Sequence, residues 1–242
     1  MVNKVSFNGL FPVKKPIIGM IHLAGKSSSE KISRALGELA IYDYEGVDGA
    51  IIEDYHGDPK DIESVLKRAP WRFRLVIGVN VLRDPYFGFE LAAKYRARFV
   101  QFDSVQTRDL DLRSYERLRG EYPNVAVLGG VGFKYIPPTG NPLRLDLEEG
   151  KSRCEAIVTT GDGTGIETPI EKLREYKSLL GDFPLIIGAG VTLSNVREQL
   201  KIADGAIVGS YFKPNGNTEL PIDRKKVRDL MSATINNQQL NL

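Results

Sequence analysis

With 242 residues, 42% of them apolar and 26% charged, the chain is long enough for one large domain or two small ones with a full core. Its formal charge of +2 is near balance, and its basic residues are dispersed apart from short clusters such as Lys14-Lys15 and Arg224-Lys225-Lys226, so nothing points to nucleic acid. The single Cys154 excludes an intramolecular disulfide and a cysteine-based zinc cluster, and no apolar run reaches the roughly 18–20 residues that would span a bilayer. The opening stretch, MVNKVSFNGLFPVKKP, lacks the sustained apolar region of a signal peptide, so the expectation is a cytoplasmic protein.

Eight short apolar runs follow one another along the chain. They are IIGMIHL from Ile17, DGAIIEDY from Asp48, RLVIGVNVL from Arg74, FVQFDSV from Phe99, VAVLGGVGF from Val125, AIVTTG from Ala156, LIIGAG from Leu185 and GAIVGSYF from Gly205. Their starts lie 20–31 residues apart. Each is nearly continuous in Val, Ile and Leu, as parallel strands covered on both faces require.

Helical periodicity fills the gaps. Ile32, Ala35, Leu36, Leu39 and Ala40 share one helix face, as do Ile170, Leu173, Tyr176 and Leu180. Leu193, Val196 and Leu200 form another such set, expected to be capped by Thr192, and Val227, Leu230 and Met231 a further one, capped by Asp223. Eight strand–helix units in one chain predict an α/β fold, a single-domain (β/α)8 TIM barrel over 1–242, with an open doubly wound sheet as the alternative. Residues 1–14 read as an N-terminal extension and 235–242 as a polar, frayed C-terminal tail. The stretch KYIPPTGNPLRLD (134–146) reads as a βα loop long enough to be a lid.

Active sites of this fold lie at the C-terminal ends of the strands, and that rule selects the candidates. The loops after strands seven and eight carry Gly188, Gly190, Gly209 and Ser210, where backbone N–H groups could cradle a phosphate; the alternative is that these glycines only permit tight turns. Glu53 and Asp103 come from nonadjacent strands and could converge for general acid–base work or hold one divalent cation, or each could pair with a local base. His22 suits a base, a metal ligand or a hydrogen-bonded residue of the barrel top, whereas His56, beside Gly57 and Asp58, reads as solvent-facing. Lys134 suits electrostatic stabilisation of an anion better than Schiff-base chemistry. Asn80, Arg83, Thr160, Gly161, Asp162 and Thr164 are candidate substrate contacts, the last four for a polyhydroxylated group. TTGDGTG (159–165) is neither a Walker loop nor a GxGxxG motif.

Taken together and in order, KPIIGMIHL, GVDGAIIED, GVNVLRD, AIVTTGDGTG and IIGAGVTLSNV…ADGAIVGSYFK resemble the BtpA/SgcQ family over about residues 15 to 231. The last of these also looks locally like the tryptophan synthase α subunit, which binds a glycerol phosphate there. The family resemblance implies a TIM barrel. It also implies either photosystem I biogenesis, from which the family takes its name, or sugar metabolism, and it brings no secure mechanism. In position, His22, Glu53, Asn80, Arg83, Lys134, Gly161, Thr164, Gly165, Gly188, Gly190 and Gly209 fall in family-like motifs.

Three departures surround the expected pocket. HLAGKSSSEK stands where members carry a proline-rich segment, Asp103 stands where the fourth strand ends in Asn, and Lys134-Tyr135 replaces a Lys-His pair. The expectation is an enzyme acting on a small phosphorylated metabolite, a sugar or nucleoside phosphate, by lyase, isomerase or glycosyl-bond chemistry. The alternative is a non-catalytic assembly or regulatory factor. Homo-oligomerisation is compatible with either.

Overall fold

A computed structural model describes residues 5–239, and their side chains through residue 234. Eight parallel strands close into a barrel in chain order: β1 (Ile17–Ile21), β2 (Gly49–Glu53), β3 (Val76–Asn80), β4 (Phe99–Phe102), β5 (Ala126–Gly130), β6 (Ala156–Thr159), β7 (Leu185–Ile187) and β8 (Gly205–Val208). β8 pairs with β1, so the sheet has no free edge and the open-sheet alternative falls away. Among the described residues, nine α-helices surround it: α1 (Ser28–Tyr44), α2 (Pro59–Leu66), α3 (Ala69–Arg72), α4 (Phe87–Tyr95), α5 (Leu112–Glu121), α6 (Leu143–Arg153), α7 (Ile170–Leu180), α8 (Val196–Gln199) and α9 (Arg224–Gln239).

The strands are buried on both faces because two separate cores use them. Ile17, Ile21, Ala50, Ile52, Ile77 and Val79 point outward to the helices, packing against such residues as Leu39, Tyr42, Ile62 and Phe89. Ile18, Met20, Ile51, Phe99, Leu128, Val158, Ile186 and Ile207 fill the interior. Two residues further along, the same inward rows arrive at polar or small residues: His22, Glu53, Asn80, Gln101, Thr160, Gly188 and Gly209. The period of the strand therefore raises a polar layer on top of an apolar plug.

Residues of the N-terminal extension close the other end. Phe7, on a 3₁₀ turn capped by Ser6, joins Leu10 and Phe11 in the interior core, and the Phe11 ring lies 6.1 Å from that of Phe99.

Local corrections are instructive. Asp223 does cap α9, its Oδ1 accepting from Lys225 N at 2.8 Å. Thr192 does not cap α8: its hydroxyl bonds Ser194, and α8 starts at Val196 after a turn that contains Leu193. The loop after β5 is shorter than 134–146, because α6 begins at Leu143 and takes in the last four of those residues. The backbone of α9 runs to Gln239, five residues into the expected tail, whose remainder (240–242) lies outside the described residues.

Candidate functional site

The polar layer opens into a cavity of about 190 Å³ at the C-terminal end of the barrel. His22, Glu53, Asp103, Lys134, Thr164, Gly188, Gly190, Gly209 and Ser210 line it. These nine candidates come from seven different strand ends, and closure of the sheet alone brings them together.

Glu53 and Asn80 end adjacent strands and are register partners. Asn80 Nδ2 donates to Glu53 Oε1 at 2.9 Å and to Asp103 Oδ1 at 3.3 Å, while Gln101 Nε2 donates to the same Asp103 oxygen at 3.1 Å. Burial, and then the charge of Asp103, push the Glu53 carboxyl up to about 8. Burial raises Asp103 as well, opposed by its two amide donors and by the Lys134 ammonium. Asp103 thus has two amide donors favouring its charged form, and Glu53 has one. Lys134 is half-buried, its Nζ 5.6 Å from the Phe133 ring centroid.

His22 is 5% exposed, and its Nδ1 is buried without a hydrogen-bond partner. Burial first, then the positive charges of Lys213, His56 and Lys134, hold its imidazole down to about 3, so at neutral pH it is an uncharged ring. His56 is half-buried outside the cavity lining, its backbone N–H donating to His22 O at 3.0 Å and its Nε2 2.9 Å from the Thr218 hydroxyl.

After β7 and β8, the N–H groups of Gly190, Val191, Gly209 and Ser210 enter none of the hydrogen bonds of these loops, while Gly188 N is taken by Thr159 O at 2.7 Å. Packing also demands glycine here. At Gly190, φ is +73° and a Cβ would stand 2.2 Å from Ile166 O. At Gly209 it would stand 3.0 Å from the His22 ring. Tight packing is therefore one reason for glycine at Gly190 and Gly209, and both residues also line the cavity.

The remaining candidates lie elsewhere. Asn80 acts from behind the carboxylates. Thr160 is fully buried, its hydroxyl donating to Gly161 O and accepting from Lys134 N at 2.6 Å, so it holds the loop rather than facing the cavity. Gly161 and Asp162 line a second cavity beside the first, and Arg83 is exposed outside both. Among the described residues, no three His, Cys, Asp or Glu side chains gather as a metal cage.

Sequence reasoning passed over Gln101, which a polar residue in an apolar run two places before Asp103 could have signalled. It also passed over Tyr55 and Leu82, which line the cavity with Tyr135, the residue named only as a departure from the family pattern. Lys213, 1% exposed and bound to Glu38 at 2.6 Å, ends the last family-like motif, and the pattern gives it no role.

Eight parallel strands alternating with helices and closed into a barrel, with the cavity at their C-terminal ends, define the TIM-barrel class. Within that class the chain belongs to the BtpA family, whose model matches residues 125–236. An uncharacterised protein of Pyrococcus horikoshii is 30% identical over 243 residues, covering 87% of this chain and 93% of its own. The photosystem I biogenesis protein BtpA of Synechocystis is 26% identical, covering 92% of this chain and 89% of its own. Among solved structures, N-(5'-phosphoribosyl)anthranilate isomerase from Pyrococcus furiosus superposes at a TM-score of 0.64 and 14% identity, over 92% of this chain and 99% of its own. Tryptophan synthase from M. tuberculosis does so at 0.68 and 12%, over 91% and 93%. Likeness at that level of identity concerns the fold. No helix among the described residues is long and apolar enough to cross a membrane.

Proposed function

We propose that the protein is an enzyme acting on a small phosphorylated metabolite, in which Glu53 and Asp103 move protons beside a phosphate held by the loops after β7 and β8. The observation that carries this reading is the Glu53–Asn80–Asp103 cluster, two carboxyls tied through one amide beside a single cavity, with burial pushing the first up to about 8. Two carboxyls with separated protonation are what proton transfer at a single carbon or oxygen needs. Asp103 takes the proton, Glu53 returns one, and Lys134 offsets the negative charge that develops between them. Neutral His22 offers a hydrogen bond to the substrate. The unspent N–H groups of Gly190, Val191, Gly209 and Ser210 receive the phosphate. The phosphoribosyl substrate in the name of a structural neighbour agrees with this reading by analogy of fold. Lyase and isomerase chemistry both fit the equipment, and either would use the acid and base as described.

Thermal denaturation against inorganic phosphate, sugar phosphates and nucleotides tests it, with Ser210→Asp as control. Ser210 is half-buried on the cavity wall, so an added carboxylate there repels an anion without the backbone collision that Gly190 would suffer. A ligand at a hundred times its Kd adds about 2.7 kcal/mol, which shifts Tm by several degrees. A shift that disappears in Ser210→Asp supports the reading. If no phosphorylated compound shifts Tm, the reading falls, leaving the assembly role that the name of the Synechocystis relative suggests.

A further inference from the structure

A second cavity, of about 530 Å³, opens beside the first between the loops after β4, β5 and β6. Asp103, Phe133, Lys134 and Tyr135 line both cavities, so the two are neighbours across a single wall. Tyr135 forms that wall under constraint. Its φ is +63°, uncommon for a residue with a side chain, and its hydroxyl accepts from Thr164 N at 3.0 Å and donates to Thr164 Oγ1 at 3.3 Å.

The chemistry of the second cavity differs from that of the first. Gln106 lines the cavity and is 4% exposed; its Nε2 donates to Asp146 O at 3.1 Å, and its Oε1 is buried with no partner. Buried acceptors without donors are rare in folded chains and call for an explanation, which a bound hydroxyl or N–H group would supply. The Asp162 carboxylate lies on the same lining. Of the two lysines there, Lys172 is spent on Gly132 O at 2.8 Å and Thr160 O at 2.7 Å, and Lys134 stands on the shared wall. Apart from Lys134 on the shared wall, the compartment offers acceptors and no unspent lysine among the described residues, which suits a donor-rich neutral group.

We propose that the two cavities form one bipartite site for an elongated substrate, with a neutral, hydroxyl-rich group such as a sugar ring in the second compartment against Gln106 Oε1 and Asp162. The reacting atoms then lie at the junction, beside Asp103 and Lys134. This rests on the reading above only for what fills the first compartment.

Calorimetric titration with neutral saccharides (glucose, sucrose, trehalose) and separately with inorganic phosphate tests it in wild type, Gln106→Leu, Asp162→Ala and Ser210→Asp. The expected result is millimolar binding of at least one neutral saccharide, weakened about five- to tenfold in Gln106→Leu, with phosphate binding unchanged. Ser210→Asp gives the reverse pattern. If Gln106→Leu fails to fold, Asp162→Ala, altered at an exposed position, decides in its place. Absence of saccharide binding, or binding indifferent to both substitutions, overturns the second compartment. Failure of phosphate alone to bind overturns the phosphate reading and leaves the saccharide result to stand separately.

Discussion

Asn80 Nδ2 lies 2.9 Å from Glu53 Oε1 because the two residues are paired in register at the ends of β3 and β2. The amide can serve that carboxyl and Asp103 at once, and so it fixes the spacing of the proposed acid and base. Replacing Asn80 with Leu leaves two buried carboxyls without a shared donor. A loss of about 1–3 kcal/mol is expected, measured by denaturant unfolding. Asn80→Asp, which adds a third carboxyl in the same shape, should be worse than Asn80→Leu at neutral pH and should recover on acidification.

Protonation of Glu53 has a sign that stability can read. Its carboxyl titrates at about 8 in the folded chain against an ordinary value of 4.5. Between those values the folded chain binds a proton that the unfolded chain has released, so this group makes stability fall as pH rises, and the fall ends above about 8. Glu53→Gln removes the slope. The variant should melt several degrees above wild type near pH 9 and converge with it near about pH 4, at about 2–4 °C per kcal/mol. Parallel melting curves across pH would refute the raised titration. Once a substrate is found, the same substitution should lower kcat by about 10²–10⁴, since it abolishes proton transfer while preserving shape.

Gly190 and Gly209 should respond differently to alanine, although both sit in the proposed cradle. The added methyl at Gly190 meets backbone, Ile166 O and Glu167 Cα, in a loop whose φ is already unfavourable to side chains. A loss above about 2 kcal/mol is expected. At Gly209 the nearest atoms belong to the His22 ring and Met20 Cβ, at 3.0 to 3.2 Å, so a small side-chain shift relieves the clash at about 1 kcal/mol or less. Equal losses in paired unfolding measurements would contradict this geometry.

Lys213 and Glu38 form an ion pair whose side chains are 1% and 5% exposed, and Glu38 Oε1 also accepts from Ile222 N at 3.1 Å. Lys213→Met alone strands a buried carboxylate and should cost about 3–5 kcal/mol, whereas Lys213→Met with Glu38→Gln should recover most of that loss. A double variant no more stable than the single would show that the pair contributes through shape rather than charge.

At the other end of the barrel, Phe11 fills the space between Phe7 and Phe99. Phe11→Ala should cost about 3–5 kcal/mol by unfolding measurements, as for other buried aromatic residues, if the extension is part of the folded core. A loss near zero would mean that the extension only rests on the barrel.

The barrel itself was legible along the chain, since eight apolar runs alternating with helical periods admit few arrangements and each run marks its own strand end. Residue type and place in a strand also sufficed to select Glu53, Asp103, Lys134 and His22, which the cavity brings together. Pattern alone could not assign Thr160 to holding a loop, Gln101 and Asn80 to supporting the carboxylates, or Phe7 and Phe11 to closing the barrel floor. Those roles depend on strand register and on contacts between residues distant in sequence, which exist only once the sheet has closed. The raised Glu53 carboxyl and the neutral His22 belong to the tertiary structure too: both follow from exclusion of water, which is a property of the packed barrel and of no single segment.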